Sequence, residues 1–171
     1  MKALTISQPF ASLILTGEKW VENRQWGTDF RGPLAIHAGK GQQYLDAEQL
    51  AGYPTGCVIA IARLAICMRL SWLRRRRSLV SNTPIGWCKI IGTDLTIGDV
   101  LKHKHTAGPW CWILTDVHGI ECVPCRGHQG LWDWAACRVC GCTEEHACFG
   151  RSGEPCHWVE EDLCSRCAGS G

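Results

Sequence analysis

The hydrophobic and polar positions at the start of the chain predict a strand followed by a helix. The segment "MKALTI" (1–6) has the apolar, β-branched composition of a short strand. The apolar residues that follow have the i, i+3, i+4 spacing of one helical face. Ser7 is expected to be the N-cap of this helix, Pro9 lies in its first turn, and Gly17 is expected to end it.

The pattern changes to period two after the helix. In "KWVENRQW" (19–26) every second residue from Trp20 to Trp26 falls on one face of a predicted strand. Apolar runs predict further strands within 30–37, 56–67, 110–117 and 120–134. A polar segment predicts a short helix at 42–50. This set predicts an α+β domain with a small, mostly antiparallel β-barrel at 1–136, followed by a separate module at 137–171.

The composition excludes a chain that is disordered throughout, because 46% of the residues are hydrophobic. No apolar run reaches the length of ~20 residues that a membrane-spanning helix needs. The N-terminal segment lacks the small-x-small pattern of a signal-peptide cleavage site. We therefore expect a cytoplasmic protein that does not associate with a membrane.

Charge is divided unevenly between the two predicted regions, although the formal net charge is only +2. Residues 1–136 contain 15 Lys and Arg against 10 Asp and Glu, whereas residues 137–171 contain 3 against 6. The first region, at +5, is suited to approach a polyanion, and the tail, at −3, is not.

Four residues after the helix have the spacing G-x-K-x-x-E-x-R: Gly17, Lys19, Glu22 and Arg24. By themselves the charges are compatible with exposed salt bridges, which contribute only ~0–1 kcal/mol and need no function. The alternative is that they line a binding cleft. Strict strand alternation would direct Lys19 away from the other two charges. The cleft therefore requires Lys19 to lie in an irregular segment after Gly17.

The segment "LTISQPFASLILTGEKWVENRQWGTDFRGPLAIHAGK" (4–40) resembles the start of ASCH domains. The similarity resumes at "GCVIAIARLAIC" and at "GPWCWILTDV…VPCRGHQGLW", and covers most of residues 1–134. The resemblance implies a PUA-like small β-barrel with flanking helices. In this family the charged motif is thought to line a cleft suited to RNA or to a modified nucleobase.

The resemblance implies RNA or a modified nucleotide as the partner and gives each motif residue a role. Arg24 offers a planar fork of donors for phosphate or a base, Lys19 a compact cation, and Glu22 an acceptor for a base amino group. Trp26 offers a flat surface on which a base can stack. Further candidate nucleic-acid contacts, from matching blocks of the family, are Gln8 and Arg126.

Several other polar residues have structural alternatives. Ser7 is equally well a helix cap or a ligand contact, and His37 is expected to be a core histidine bonded to the backbone. The four arginines at 74–77 either contact a phosphate backbone or form a solvated loop, and on a helix they would spread around its circumference. The segment "KHKH" (102–105) is interpreted as a solvated turn.

An enzymatic alternative also follows from the resemblance. Some ASCH-like proteins are amidohydrolases that act on acetylated cytidine, and others are described as ribonucleases. In the small amidohydrolases a catalytic lysine matches Lys19, and a threonine matches Glu22. A carboxylate cannot replace a hydroxyl nucleophile, so binding is favoured over hydrolysis. Lys19 and Glu22 stay candidates for general acid–base catalysis.

The tail reads "CRVCGCTEEHACFGRSGEPCHWVEEDLCSRC" and holds 7 of the 13 cysteines. The pairs Cys137-x2-Cys140 and Cys164-x2-Cys167 are typical of a tetrahedral zinc site. A segment this short buries little core, so bound metal would take the place of one. We predict one zinc ion at these four cysteines.

The remaining tail cysteines are Cys142, Cys148 and Cys156. With His157 or His146 they would supply the four ligands of a second zinc site. The alternatives are a single zinc with three uncoordinated cysteines or, less favoured, an iron–sulfur cluster. Cys122 and Cys125 form a third pair, but they lie within the ASCH match and are interpreted as strand residues.

The acidic charge of the tail makes it a poor nucleic-acid finger. A structural or protein-binding role suits this charge better. A third functional hypothesis is therefore a protein–protein adaptor that acts through the tail. Short tails of similar pattern occur on phage and bacterial proteins.

Overall fold

The structure is a computed structural model that describes residues 1–78, 89–90, 92–144, 146–149 and 153–169. The segment "NTPIG" (82–86), whose composition is typical of a turn, lies outside these residues, as do the side chains of Arg76 and Arg77. Across the described ranges, none of the helices has the length and apolar character to span a membrane.

The described residues form eight strands and five helices. The strands are β1 (Lys2–Ile6), β2 (Val21–Arg24), β3 (Gly32–Ala38), β4 (Cys57–Arg69), β5 (Trp110–Pro124), β6 (Leu131–Asp133), β7 (Trp158–Glu160) and β8 (Leu163–Cys164). The helices are α1 (Phe10–Leu15), α2 (Ala47–Leu50), α3 (Leu70–Ser78), α4 (Ile97–Lys102) and α5 (Ser165–Ala168). One sheet has the order β2-β5-β4-β3-β1-β6, and β7 pairs with β8 in a second sheet. The predicted α+β class is confirmed.

Strand β1 lies between a parallel and an antiparallel neighbour. It runs parallel to β3, with Lys2 opposite Leu34 and Ile6 opposite Ala38. It runs antiparallel to β6, with Lys2 opposite Asp133. Because two neighbours cover both edges of β1, its backbone groups are paired inside the sheet, as buried backbone requires.

The first helix is capped differently from the prediction. Helix α1 begins at Phe10, with Pro9 at the N-cap position, so the prediction that Ser7 is the N-cap is wrong. The side-chain Oε1 of Gln8 accepts a hydrogen bond from the backbone N–H of Ser12 at 3.1 Å. The amide of Gln8 therefore satisfies a donor of the first turn that a hydroxyl side chain was expected to satisfy.

The end of the helix agrees with the prediction. Helix α1 ends at Leu15, and Gly17 has a φ of 79°. This left-handed conformation strains residues with a Cβ, so glycine is the residue that ends helices in this way. Gly17 lies two residues before Lys19.

The strands predicted at 110–117 and 120–134 differ from those observed. Strand β5 continues without interruption from Trp110 to Pro124, and β6 follows the glycine-rich turn. Within β5, Asp116 has a φ of 50°, a conformation that short polar residues tolerate better than most others. A polar residue that looks like a strand end in the sequence is therefore an irregular position inside one long strand.

Two compact units make up the chain. The first comprises residues 1–16, 33–62 and 117–171, and the second comprises 17–32 and 63–116. One core cluster of the first unit consists of Ala3, Ala35, Val58, Val123, Trp134 and Ala136. A core cluster of the second unit consists of Val21, Leu70, Leu73, Ile90, Ile97, Val100, Cys111 and Ile113.

The arginine run lies on a helix. Helix α3 is anchored in the second unit by the buried side chains of Leu70 and Leu73. Arg74 and Arg75 are exposed. The solvated-loop alternative is therefore wrong, because the backbone of the run is helical.

The pair Cys122 and Cys125 has two different environments. Cys122 lies in β5, as expected of a strand residue, and forms a disulfide with Cys57, the first residue of β4. Cys125 follows β5 as a free thiol. The disulfide was not predicted, because its two cysteines are separated by 65 residues and each lies in an ordinary strand pattern.

Candidate functional site

The three charges of the G-x-K-x-x-E-x-R motif meet within the second unit. Lys19 lies before β2, in the irregular segment after Gly17, and not in the strand itself. Its Nζ donates to the backbone carbonyl of Val21 at 2.7 Å and forms an ion pair with Oε2 of Glu22. The condition that the sequence set for a convergent motif is therefore met.

Glu22 bridges the two cations of the motif. Its Oε2 contacts Lys19, and its Oε1 lies 3.2 Å from Nε of Arg24. Lys19 is 3% exposed and Glu22 is 7% exposed, whereas the side chain of Arg24 is 24% exposed. The Lys19–Glu22 pair is thus a buried ion pair and not the exposed salt bridge of the structural alternative.

Burial shifts the pKa of Lys19. Removal of its ammonium group from water lowers the pKa of Lys19 below its ordinary value, although the charge and the hydrogen bond of Glu22 oppose this shift. A lysine with a lowered pKa beside a carboxylate is a feature of both structural ion pairs and catalytic sites.

Asn23, which sequence analysis did not single out, fixes a neighbouring segment of the same unit. Its Nδ2 donates to the carbonyl of His105 at 2.6 Å. Its Oδ1 accepts from the backbone N–H groups of Ala107 and Gly108 at 3.0 and 2.9 Å. One side chain of the motif strand therefore holds residues 105–108 against β2.

The "KHKH" segment is only partly the solvated turn that was expected. Lys102 and Lys104 are exposed, but His103 and His105 are half-buried. The His103 ring lies edge-on to Trp20 with centroids 4.4 Å apart. The two lysines are solvated as predicted, whereas the two histidines are partly buried, and His103 packs against Trp20 of the motif segment.

Trp26 presents an aromatic surface after β2. It is 36% exposed and packs edge-on against Trp112, with centroids 4.8 Å apart. Gly27 follows it, and a Cβ at Gly27 would lie 2.6 Å from ring atoms of Trp110. The close approach of this ring therefore requires glycine at position 27.

Two predicted contacts, Gln8 and Arg126, belong to the first unit. Gln8 is fully buried, and its Nε2 donates to the carbonyl of Pro54 at 2.8 Å. Because Oε1 of Gln8 caps α1, both ends of this amide are used within the unit. Arg126 is exposed and lines a cavity of about 550 Å³ together with Lys40 and His37.

His37 has the backbone contact expected of a core histidine. It is 2% exposed, and its Nε2 lies 3.2 Å from the carbonyl oxygen of Cys125. Its Nδ1 has no hydrogen-bond partner among the residues that the structure describes. Burial lowers the pKa of His37, with the charges of His128 and Lys40 acting in the same direction.

The tail cysteines converge in the first unit and form a cluster of their own. The sulfur atoms of one set lie within 4.8 Å of one another: Cys137, Cys140, Cys164 and Cys167. These are the four ligands that the CxxC spacing predicts. Four mutually close thiols are a donor set suited to a soft or borderline metal ion, so this cluster can hold a metal.

A second set of four tail sulfurs satisfies the same distance limit: Cys140, Cys142, Cys148 and Cys164. Its composition differs from the predicted second site. Sγ of Cys156 lies 3.6 Å from Sγ of Cys142. Neither Cys156 nor His157 belongs to a four-ligand set within the described ranges.

The chain is similar to known proteins of one domain family. The model of the ASCH domain family matches residues 4–121, which is more than half of the chain. Among solved structures, the chain is similar to the ASCH protein of Zymomonas mobilis, with 15% identity, a TM-score of 0.44, and coverage of 78% of this chain and 86% of that one. A point mutant of the Zymomonas mobilis protein gives 14% identity, a TM-score of 0.43, and coverage of 78% and 88%. No curated protein matches the chain.

Proposed function

This chain belongs to the ASCH domain family, as its sequence resemblance predicted, and we propose that it binds RNA through the surface formed by Arg24 and Trp26. Its fold is the α+β, PUA-like fold that the resemblance implied. The family is generally linked to RNA binding. The observation that carries the proposal is the bridge made by Glu22, whose two carboxylate oxygens contact two cations of the motif.

The exposure of the motif residues suggests which of them contact RNA and which position the others. The side chain of Arg24 is partly exposed beside Glu22, and a guanidinium is a group suited to a phosphate or a base edge. Trp26 is accessible for stacking, typically worth ~1–3 kcal/mol per base. Lys19 and Glu22 are buried, and in this proposal they position Arg24 and do not contact RNA directly.

Arg126 provides a second candidate contact, in the first unit. Lys40 also lines this cavity, and none of the described residues that line it is acidic. Such a cavity is electrostatically suited to a phosphate group. The net charge of +5 over residues 1–136 favours the same class of ligand and predicts binding that weakens as salt rises.

RNA binding by variants tests the proposal. Single-stranded RNA oligonucleotides are titrated into wild type and Arg24→Ala at low and physiological salt. The matched control is Arg63→Ala, which removes an equally charged, exposed side chain of β4. We expect at least tenfold weaker binding for Arg24→Ala and less than twofold for the control. Equal losses in both variants would show that only bulk charge matters.

The aromatic contribution is tested separately. Trp26→Ala is compared with Tyr53→Ala, because both aromatic side chains are 36% exposed in the wild type. We expect weaker RNA binding for Trp26→Ala, by roughly tenfold for the loss of one stacked base, and no change for Tyr53→Ala. Unchanged binding by Trp26→Ala would remove the stacking surface from the proposal.

The lowered pKa of Lys19 favours one second candidate, hydrolysis of a nucleic acid or modified nucleoside at the same motif. A neutral lysine beside Glu22 would be able to accept a proton. Against it, Glu22 stands where the small amidohydrolases carry a threonine. Incubation of wild type and Lys19→Met with N4-acetylcytidine and with labelled RNA decides the matter. Turnover by wild type that Lys19→Met lacks would establish the enzyme, and no turnover by either would reject it.

For the tail, we propose a structural zinc ion at Cys137, Cys140, Cys164 and Cys167. Their sulfurs lie within 4.8 Å of one another, and thiolate sulfur is the preferred ligand of structural zinc. The backbone N–H of Cys164 also points to Sγ of Cys137 at 3.5 Å, a contact that stabilises a metal-bound thiolate. When bound, the ion would replace the apolar core that a tail of this length does not have.

A further inference from the structure

The two four-sulfur sets of the tail share two members. Cys140 and Cys164 occur in both sets, whereas Cys137 and Cys167 occur only in the first and Cys142 and Cys148 only in the second. Two separate four-coordinate ions would need eight ligands. Six thiolates suffice when two of them each bind both ions, because each shared sulfur fills one position on either ion.

Three distances within the second set match the edges of a metal–thiolate tetrahedron. A Zn–S bond of ~2.3 Å places the corners of a regular ZnS₄ tetrahedron about 3.8 Å apart. Sγ of Cys140 lies 3.9 Å from Sγ of Cys148 and 3.8 Å from Sγ of Cys164, and Cys148 lies 3.7 Å from Cys164. These three sulfurs therefore form one face of a tetrahedron of the required size.

We propose that the tail binds two zinc ions joined by the bridging thiolates of Cys140 and Cys164. Cys137 and Cys167 complete the first ion, and Cys142 and Cys148 complete the second. This inference rests on the proposed structural zinc and extends it. It replaces the predicted second site, which used Cys156 and His157, with ligands that the structure brings within 4.8 Å of one another.

Electrostatics favours the second ion. One Zn²⁺ with four thiolates carries a formal charge of −2, and Cys142 is buried beside it. A second Zn²⁺ with two more thiolates leaves the total at −2, so two further ligands are deprotonated without added negative charge. Burial of uncompensated charge is costly, and sharing of thiolates avoids it.

The local backbone supports the shared arrangement. Gly141 lies between the bridging Cys140 and the terminal Cys142 and has a φ of 75°. This backbone conformation permits the two cysteines on either side of it to turn toward a common centre. The N–H of Cys137 donates to the carbonyl of Cys142 at 2.8 Å, and the N–H of Gly141 donates to the carbonyl of Cys137 at 2.9 Å. These bonds tie ligands of the two ions to one compact turn.

Metal content of the purified full-length chain tests the proposal. We expect two zinc ions per chain by mass spectrometry of metals and by native mass spectrometry. One ion per chain would overturn the binuclear inference while leaving the single structural zinc intact. No bound metal would overturn both. The RNA-binding proposal is tested independently by Arg24→Ala, so its failure is distinguishable from either result.

Cysteine variants test which thiolates are ligands and which are shared. Cys142→Ser should retain one ion, because only the second set uses it. Cys164→Ser should retain fewer ions than Cys142→Ser, because a bridging thiolate serves both. Cys156→Ser is the matched control: it lies 3.6 Å from Cys142 but outside both sets, and should retain two ions. Loss of an ion from Cys156→Ser would overturn the ligand assignment.

Replacement of zinc by ¹¹³Cd gives a readout that does not depend on stability. Two ions that share thiolates should give two ¹¹³Cd resonances in the shift range of sulfur ligands, with scalar coupling between them. Two uncoupled resonances would show separate ions and would refute the bridges. A single resonance that accounts for one ion per chain would refute the second site.

Discussion

The charged motif and the cysteine tail both bring polar side chains together, and they do so by different means. In the tail, the four sulfurs of the first set come from two CxxC pairs, a spacing that suits two ligands of one metal ion. In the motif, the chain turns at Gly17, and strand β2 does not begin until Val21. Lys19 therefore lies in an irregular segment from which its side chain reaches Glu22. Spacing defines the tail site, whereas burial and backbone irregularity define the motif. The two sites should therefore respond independently to perturbation.

The largest expected effect is the loss of the tail after metal removal. Treatment with a strong chelator should unfold residues 137–171, because structural zinc supplies ~10–16 kcal/mol in small zinc domains and little else replaces it. Limited proteolysis should then cut the tail while residues 1–136 stay protected. Readdition of zinc should restore protection. A tail that stays resistant without metal would show that its packing does not depend on an ion.

Substitution of Glu22 is expected to have the next largest effect, confined to the motif. Glu22→Gln leaves the buried ammonium of Lys19 without its counter-charge, which typically costs ~3–5 kcal/mol. Denaturant unfolding measures this loss, and zinc content should be unchanged. Asp133→Asn is the matched control, since it breaks the exposed Lys2–Asp133 pair and should cost under ~1 kcal/mol. Equal losses would show that the Lys19–Glu22 pair behaves as a surface salt bridge.

A moderate effect is expected from Asn23→Ala. The substitution removes the three hydrogen bonds that hold residues 105–108, and the unpaired backbone groups should cost about 1–3 kcal/mol. RNA binding should weaken less than in Arg24→Ala, because Asn23 positions the neighbouring segment and not the guanidinium. Denaturant unfolding and RNA titration of the same samples give both values. Unchanged stability would show that solvent replaces these bonds.

The smallest effect is the pH dependence that Lys19 contributes. Its pKa is lowered in the folded state, so between that value and 10.5 the unfolded chain binds more protons than the folded one. Stability associated with Lys19 should then rise with pH across this window. The free energy of unfolding of wild type should increase relative to Lys19→Met as pH rises toward 10.5. A difference that is constant or falls would contradict the lowered pKa.

Sequence patterns predicted most of the elements that carry the site, because burial follows local periodicity. Three elements agree with their patterns: strand β1, the end of helix α1 near Gly17, and the long apolar strand β4. The four cysteines of the first sulfur set also follow from spacing alone. These features depend on neighbours within a few residues, which is the range that a pattern describes.

Features that depend on distant partners were not predictable from the sequence. Oε1 of Gln8 caps α1, and Nε2 of the same amide donates to the carbonyl of Pro54, 46 residues away. Asn23 acts on residues 105–108, and no local pattern links these segments. The sharing of Cys140 and Cys164 between two sulfur sets likewise appears only when the tail is folded. Such contacts are chosen by tertiary structure and not by the propensity of each segment.

The Cys57–Cys122 disulfide has a consequence for the unfolded chain. It closes a covalent loop whose ends are 65 residues apart in sequence, and most of the second unit lies inside that loop. In the chain-entropy model, closing a loop of this length lowers the conformational entropy of the denatured chain, which raises the free energy of unfolding by roughly 4 kcal/mol. Reduction would thus act mainly on the denatured chain, by releasing a tether between two strand segments, while the hydrogen bonds of the motif would be unchanged.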